Sequence, residues 1–259
     1  MPLSNVERQA AIAQFVTHHQ RVSVDQLVQS FGISPATARR DLDVLAGHGR
    51  LQRMHGGARS VPPVVSTPAP ELPALQREDE QRTEKGRIGA AAAALVNDGE
   101  TVFIGSGTTT LEVARNLRNC RKLTVITNSL LVVNVLADIA DIDVIALGGQ
   151  LRRSEMSLIG HAAEHALADV RADKVIIGIR AIDSDAGLTN AYAPETMTDR
   201  AILKVGREII VVADHTKFGR IAPAFVAPLS AVHTLVTDNS DGHKQLDTIT
   251  ALGVRVITV

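Results

Sequence analysis

FGISPATARRDLDVLAGHGRLQRMHGGAR, residues 31–59, decides how the first part of the chain folds. Gly32 ends a helix, because glycine accepts the left-handed backbone that a helix C-terminus needs. Ser34 is a good N-cap, and Pro35 suits the first helical position that follows it. Ala38, Leu42 and Leu45 then recur at helical spacing and form a buried stripe. Thr37, Arg39 and Arg40 lie off that stripe. Just upstream, Ser23 caps a helix burying Val24, Leu27, Val28 and Phe31, the i, i+3, i+4, i+7 pattern. A further helix is predicted over 4–19, with Val6, Ala10, Ile12, Phe15 and Val16 near one face. After Gly49, LQRMHGGAR fits a short hairpin turning at Gly56-Gly57.

A helix, a glycine turn, a second helix and a hairpin make a winged helix-turn-helix. Its second helix enters the DNA major groove with its N-terminal residues leading. Arg39 and Arg40 suit that position, since guanidinium pairs in bidentate fashion with guanine or holds a phosphate. Thr37 lies beside them, and Ser34 with its neighbouring amides can bind a phosphate at the helix N-terminus. Arg53, His55 and Arg59 of the wing are expected near the flanking DNA backbone. Residues 1–60 hold seven arginines against four carboxylates, a surplus of three, whereas the whole chain carries −1, leaving −4 for the rest. A generic three-helix bundle with a solvated arginine pair is the plainer alternative. The succession of cap, glycine turn, paired arginines and glycine hairpin favours DNA.

Residues 60–73 hold five of the ten prolines and read as a semi-rigid linker. The expected organisation is a DNA-binding domain at 1–59, a linker at 60–77 and a second domain at 78–259. In the last part, β-branched runs at 101–104, 123–127, 143–147, 174–179, 208–213, 234–237 and 255–259 alternate with helical stretches such as 111–117 and 130–136. Continuous Val/Ile/Leu runs suit strands covered on both faces. The fold class is therefore α/β, with a mostly parallel sheet. The one cysteine excludes an internal disulfide and disfavours a cysteine-based metal site. No apolar run resembles a signal peptide or a membrane span, which predicts a cytoplasmic protein without membrane contact. With no Trp and one Tyr, stacking on single-stranded nucleic acid is disfavoured.

GSGTTT (105–110) follows a predicted strand and opens a helix, so small residues let backbone amides approach an anion. It lacks the Gly-Lys-Ser/Thr of a P-loop, and Thr110 stands at the third glycine of G-x-G-x-x-G. Further polar sets end other strands: Asn128-Ser129, Gly148-Gly149 and Asp214-His215-Thr216-Lys217. Ligands of open parallel sheets bind at such carboxyl ends. Lys217 can neutralise a phosphate there, and Asp214 or Asn128 can bond sugar hydroxyls. His161-Ala-Ala-Glu-His165 matches H-x-x-E-H, but no third ligand accompanies it. Solvated helix-face histidines are expected, with no metal and no cofactor.

The segment 31–58 resembles the DeoR family of transcriptional regulators through Ser34, Thr37, Arg39, Arg40, Asp41, Leu42, Leu45, Gly49, Leu51, His55, Gly56, Gly57 and Ala58. Ala38 stands where that family usually has isoleucine. RTEKGRIGAAAAALVNDGETVFIGSGTTT, VITNSL, ALGGQLRRSEMSLIG, ADKVIIGI and IIVVADHTKFGR resemble the family's sensor domain in order and spacing, so the resemblance spans essentially the whole chain. It implies a sensor similar to ribose-5-phosphate isomerase, with Ser106, Gly107, Thr108 and Thr109 holding a phosphate. Thr127, Asn128, Gly149, Arg152, Glu195, Asp214 and Lys217 are further pocket candidates on the same ground. Gly105 stands where the family often has aspartate, which suggests a different effector.

The expected function is a regulator, a repressor of a sugar-utilisation operon, that binds double-stranded operator DNA and is controlled by a phosphorylated sugar. A homo-oligomer, dimer or tetramer, is expected, because paired half-sites compensate for the few contacts of one module. The alternative is a sugar-phosphate isomerase-like enzyme with an accessory domain. Only Glu195 and Asp214 offer themselves as its base, and neither sits in an isomerase-like motif.

Overall fold

The computed structural model describes residues 5–19, 21–47, 51–54, 56–60, 72–238 and 244–259. The chain divides into two compact units, Met1–Val64 and Val65–Val259.

The first unit contains α1 (Asn5–His19), β1 (Arg21–Ser23), α2 (Val24–Phe31), α3 (Pro35–Gly47), β2 (Leu51–Met54) and β3 (Gly57–Ser60). Ser23 closes a capping box with Gln26 at the start of α2, and Gly32 ends that helix in the left-handed region. Ile12, Val16, Leu27, Ala38, Leu42 and Leu45 pack into one core with Leu51 and Ala58. The hairpin gains a third strand that the sequence did not reveal, giving the antiparallel order β1-β3-β2. Gly57 permits this pairing, because a Cβ there would stand 2.1 Å from the Val22 carbonyl oxygen.

The second unit contains α4 (Ala74–Arg77), α5 (Arg82–Ala93), β4 (Thr101–Ile104), α6 (Thr108–Asn116), β5 (Leu123–Thr127), α7 (Leu130–Leu136), β6 (Ile142–Ala146), β7 (Gln150–Arg152), β8 (Ser157–Ile159) and α8 (His161–Ala168). It continues with β9 (Ala172–Gly178), β10 (Ala181–Asp183), β11 (Gly187–Asn190), α9 (Ala193–Leu203), β12 (Gly206–Val212), β13 (Ala224–Ala227), β14 (Thr234–Thr237), α10 (Lys244–Ala251) and β15 (Arg255–Thr258). Seven strands form a sheet in the order β15-β14-β12-β9-β4-β5-β6. Each neighbouring pair in it is parallel.

Alternation along the strands feeds two cores. Phe103, Val175, Ile177, Ile209 and Val211 point into one. Val102, Ile104, Ile176, Ile210 and Val212 point into the other. At about 1.5–3 kcal/mol per large apolar side chain removed from water, these two layers dominate the stability of the unit.

Two additions escape the β-α-β reading. One is the antiparallel sheet β10-β11-β13, and the other is the hairpin β7-β8. The stretch expected as linker also ends in structure: α4 lies within 60–77 and belongs to the second unit. Residues 61–71 lie outside the described residues. Among the described residues no helix is long and apolar enough to cross a membrane.

Candidate functional site

In the parallel sheet the connections after β4 run one way to β5 and β6, and later strands build on its other side through β9, β12, β14 and β15. The switch point therefore lies between β4 and β9, where ligand crevices form in such sheets. A cleft enclosing about 750 Å³, its open mouth included, lies there and is lined by residues 105–109 after β4, 178–180 at β9 and 212–214 at β12. Arg77, Lys85, Glu155, Asn190, Glu195, Asp199 and Lys217 complete its wall.

The loop after β4 presents α6 by its N-terminus. Gly107 sits at φ +130, a backbone that side chains rarely adopt, and supplies no capping side chain. The Leu111 amide is bonded to the Gly107 carbonyl at 3.0 Å, so the amides before it lie in the unpaired first turn. Thr110 turns its hydroxyl back onto the Gly107 carbonyl at 2.9 Å. The first turn and the partial positive charge of the helix end thus face the cleft.

Two lysines supply full charge. Lys85 of α5 is buried and donates to the Arg77 carbonyl at 2.7 Å. Burial pushes its pKa down, against the pull of nearby Asp214. Lys217 stands in the short helical turn His215–Lys217, and burial lowers its pKa also. Both lysines gain from an anion, which restores the stabilisation that desolvation removes.

Acceptors face these donors. Asp214 uses Oδ1 for the amide of Thr216 at 3.0 Å. Its buried Oδ2 has no hydrogen-bond partner, and the Lys217 ammonium stands 3.8 Å away. His215 fixes this turn by donating its amide to Asp238 at 2.7 Å, with its ring Nδ1 also 2.7 Å from that carboxylate. Asp199 accepts from the Asn190 amide at 2.5 Å. Burial, aided by the Glu155 charge, pushes the Asp199 carboxyl up to about 7, against the pull of Asn190 and Arg152.

Of the residues expected in the pocket, Ser106, Gly107, Thr108, Thr109, Glu195, Asp214 and Lys217 line the cleft, whereas Thr127, Asn128, Gly149 and Arg152 do not. Those four hold the β7-β8 hairpin and its surroundings. The Thr127 hydroxyl donates to the Ile104 carbonyl at 2.6 Å and accepts the Ser129 amide at 3.0 Å. The Asn128 carbonyl accepts the Leu158 amide at 2.8 Å, and its side-chain amide reaches the Leu158 carbonyl at 3.3 Å. Its buried Oδ1 has no hydrogen-bond partner. A Cβ at Gly149 would come within 2.8 Å of the Ile159 carbonyl oxygen. Arg152 pairs with Glu195 and lies 4.7 Å from the centre of the Tyr192 ring.

Sequence reasoning missed Arg77, Lys85, Glu155, Arg180, Asn190 and Asp199. A cue existed for Lys85: it lies three and seven residues before the wholly buried Ile88 and Ala92, on the apolar stripe of α5.

In the first unit, Arg39 and Arg40 are exposed on α3. Ser34 accepts the Thr37 amide at 3.1 Å, and the two hydroxyls lie 2.9 Å apart, which closes the N-terminal turn. Behind this face Asp41 is buried and accepts from Arg8 at 2.7 Å and from Gln9 at 2.9 Å. The Arg8 and Gln9 bonds outweigh desolvation and hold its pKa below the usual carboxylate value. Arg53 is engaged within the protein, with Asp43 at 2.8 Å and the Gly57 carbonyl at 2.8 Å. His55 lies outside the described residues. His161 and His165 are exposed on α8, and among the described residues no cluster of metal-ligating side chains forms.

A winged helix-turn-helix joined to an α/β unit with a charged switch-point cleft is the architecture of a transcriptional regulator with a sensor domain. Residues 8–64 match the DeoR-like helix-turn-helix domain and residues 80–239 the DeoR C-terminal sensor domain. The chain belongs to the DeoR family. It is 37% identical to the glycerol-3-phosphate regulon repressor of Escherichia coli K12, covering 91% of this chain and 92% of that protein. It is 36% identical to the transcriptional repressor AccR of Agrobacterium fabrum, covering 91% and 90%, and 32% identical to the repressor GlcR of Bacillus subtilis, covering 97% and 95%. The chain is accordingly a DNA-binding regulator and not an enzyme. Ribose 5-phosphate isomerase A from Neisseria gonorrhoeae superposes with a TM-score of 0.40 at 15% identity, covering 52% of this chain and 53% of that one. The beta subunit of eIF2B from Chaetomium thermophilum does so at 0.44 and 18%, covering 62% and 49%.

Proposed function

We propose that this chain represses a sugar- or polyol-utilisation operon from the cytoplasm and is controlled by a phosphate ester of such a compound. Arg39 and Arg40 contact operator DNA in the major groove, with Ser34 and Thr37 shaping the turn that leads α3 in. The phosphate rests on Ser106, Gly107, Thr108 and Thr109, neutralised by Lys85 and Lys217. Asp214, Glu195 and Asp199 accept the hydroxyls. Thr127, Asn128, Gly149 and Arg152 act indirectly, by holding the hairpin that walls the cleft. The chain works as a homo-oligomer, which places two α3 helices on paired half-sites.

The observation that carries this reading is the meeting, at one switch point, of an uncapped helix N-terminus, the buried Lys85, the half-buried Lys217 and the unpartnered Oδ2 of Asp214. The test titrates the full chain onto its own promoter fragment by fluorescence anisotropy, with and without glycerol 3-phosphate and hexose and pentose phosphates. Salt-sensitive binding that one ester shifts at least about tenfold is expected, a coupling of about 1.4 kcal/mol. Binding that no ester alters, together with no ester raising the melting temperature, overturns the effector assignment.

A further inference from the structure

The cleft has an unusual wall. Part of it is α4, the first element of the sensor unit among the described residues, to which the DNA-binding unit is joined through the chain preceding Leu72. This four-residue helix is too short to stand alone, so its position depends on what grips it. Its grips are few. The Ala74 amide donates to the Ser154 carbonyl at 2.6 Å. The Arg77 guanidinium pairs with the buried carboxylate of Glu155 and also donates to the Leu72 carbonyl at 2.8 Å. The Lys85 ammonium holds the Arg77 carbonyl. Ser154 and Glu155 lie in the turn between β7 and β8, and Arg152 and Ser157, on the two strands, both reach Glu195 of α9.

Arg77, Lys85, Glu155 and Glu195 also line the cleft. The cations that fasten α4 are thus among those nearest a bound anion. A phosphate on the 105–109 loop attracts Lys85 away from the Arg77 carbonyl and Arg77 away from Glu155. Charge-assisted bonds are the strong ones in such a site, and a dianion competes well with one carbonyl and one carboxylate.

We propose that α4 is the regulatory relay of this protein: a phosphate ester in the cleft recruits Lys85 and Arg77 and releases α4 from the β7-β8 turn, and α4 stands just after the segment that joins the sensor unit to the DNA-binding unit in sequence. The inference rests on the effector reading above and adds to it the route by which occupancy reaches DNA. It also assigns Glu155 a role: it is the latch that keeps Arg77 in the DNA-competent arrangement.

Hydrogen–deuterium exchange on the full chain tests this, with glycerol 3-phosphate, fructose 6-phosphate and inorganic phosphate as separate additions. The amides of Gln76, Arg77 and Glu80 are hydrogen-bonded, to Pro73 and Arg77 carbonyls, and so report on α4. An ester that slows exchange at 105–110 should speed it across 74–81 by at least about fivefold, the opposite sign in two walls of one cleft. Slowed exchange at 105–110 with unchanged or slower exchange at 74–81 overturns the relay and leaves the effector reading standing. No slowing at 105–110 with any of the three overturns the effector reading and the relay together. Glu155→Gln should show the fast 74–81 exchange without any ester and a weakened hold on the promoter fragment. A folded Glu155→Gln chain whose 74–81 exchange matches the parent also overturns the relay. Should that variant fail to fold, the parent experiment still decides.

Discussion

The two units hold their cations in opposite ways. On α3, Arg39 and Arg40 stand in solvent, outside any ion pair among the described residues, while the helix is braced from behind by buried Asp41. In the sensor cleft, Arg77, Lys85 and Lys217 each already face an acceptor of the protein. A surface built the first way takes a polyanion without breaking internal bonds, so its affinity follows charge and salt. A cleft built the second way must exchange partners when it binds. Exchange is what couples occupancy to conformation, since a ligand shifts an equilibrium only through differential contacts.

The largest effect should come from the exposed pair. Replacing Arg39 and Arg40 together with alanine is expected to weaken promoter binding by about a hundredfold or more, at about 1–3 kcal/mol for each good base contact. The melting temperature should barely move, because exposed substitutions usually stay within about 0.5 kcal/mol. Anisotropy titration and a thermal melt, run side by side, check both halves. Promoter binding that survives the double substitution breaks the contrast at its first term.

Lys85→Met should act in the reverse sense. Burial already disfavours the Lys85 charge, and Met keeps the apolar length of the stem, so the melting temperature should hold or rise. The response to phosphate esters should fall by about tenfold or more, the scale of one charge-assisted hydrogen bond. A thermal-shift titration with glycerol 3-phosphate and fructose 6-phosphate measures both. Unchanged ester affinity would move the phosphate away from α5.

Two carboxylates extend the contrast to pH. Asp41 has its pKa lowered by Arg8 and Gln9, so its contribution to stability is present above the usual carboxylate value and is lost as pH falls through the lowered one. Asp41→Asn should destabilise the DNA-binding unit by about 2–3 kcal/mol at neutral pH, and by less as pH drops below about 4. Asp199 behaves oppositely. Its carboxyl is raised to about 7, so the folded unit keeps a proton that the unfolded chain has lost, and stability falls as pH rises from the usual carboxylate value to about 7. Asp199→Asn should flatten that fall. Denaturant melts of the sensor unit within the full chain, taken across this range, give the slope; an unchanged slope removes Asp199 from the titration.

Legibility in the sequence followed periodicity. The winged helix was plain, because capping serines, Gly32 and the 3–4 spacing of Ala38, Leu42 and Leu45 all act locally. The central parallel strands were plain because they bury both faces and so run as unbroken Val and Ile, as at Val175–Ile177. The β7-β8 hairpin and the β10-β11-β13 sheet were not, since short antiparallel strands of mixed burial carry little pattern. The site divided along the same line. Ser106, Gly107, Thr108, Thr109, Asp214 and Lys217 follow sheet strands directly, and all of them line the cleft. Asp199 and Asn190 enter the cleft from α9 and β11, whose placement depends on the unseen sheet. Thr127, Asn128 and Gly149 also end or follow strands, but the hairpin consumes them, and nothing local distinguishes a polar group that grips a neighbouring turn from one that grips a ligand.

Arg53 gives the smallest effect and the finest test of the opening contrast. It belongs to the DNA-binding unit, yet it is held like a cleft residue, by Asp43 of α3 and the Gly57 carbonyl of the wing. Its side chain is a third exposed and that of Asp43 mostly so, and an exposed pair of this kind contributes about 0.2–1 kcal/mol. As a staple between wing and recognition helix, Arg53 should tolerate alanine with a loss of promoter affinity of less than about fivefold. The salt dependence decides its role, because a side chain that neutralises a phosphate contributes about one to the slope of log affinity against log salt, and a staple contributes nothing. An Arg53→Ala slope equal to that of the parent keeps this arginine inside the protein's own bonding. A slope smaller by about one would return it to the DNA backbone. The wing would then exchange partners on binding, as the cleft does.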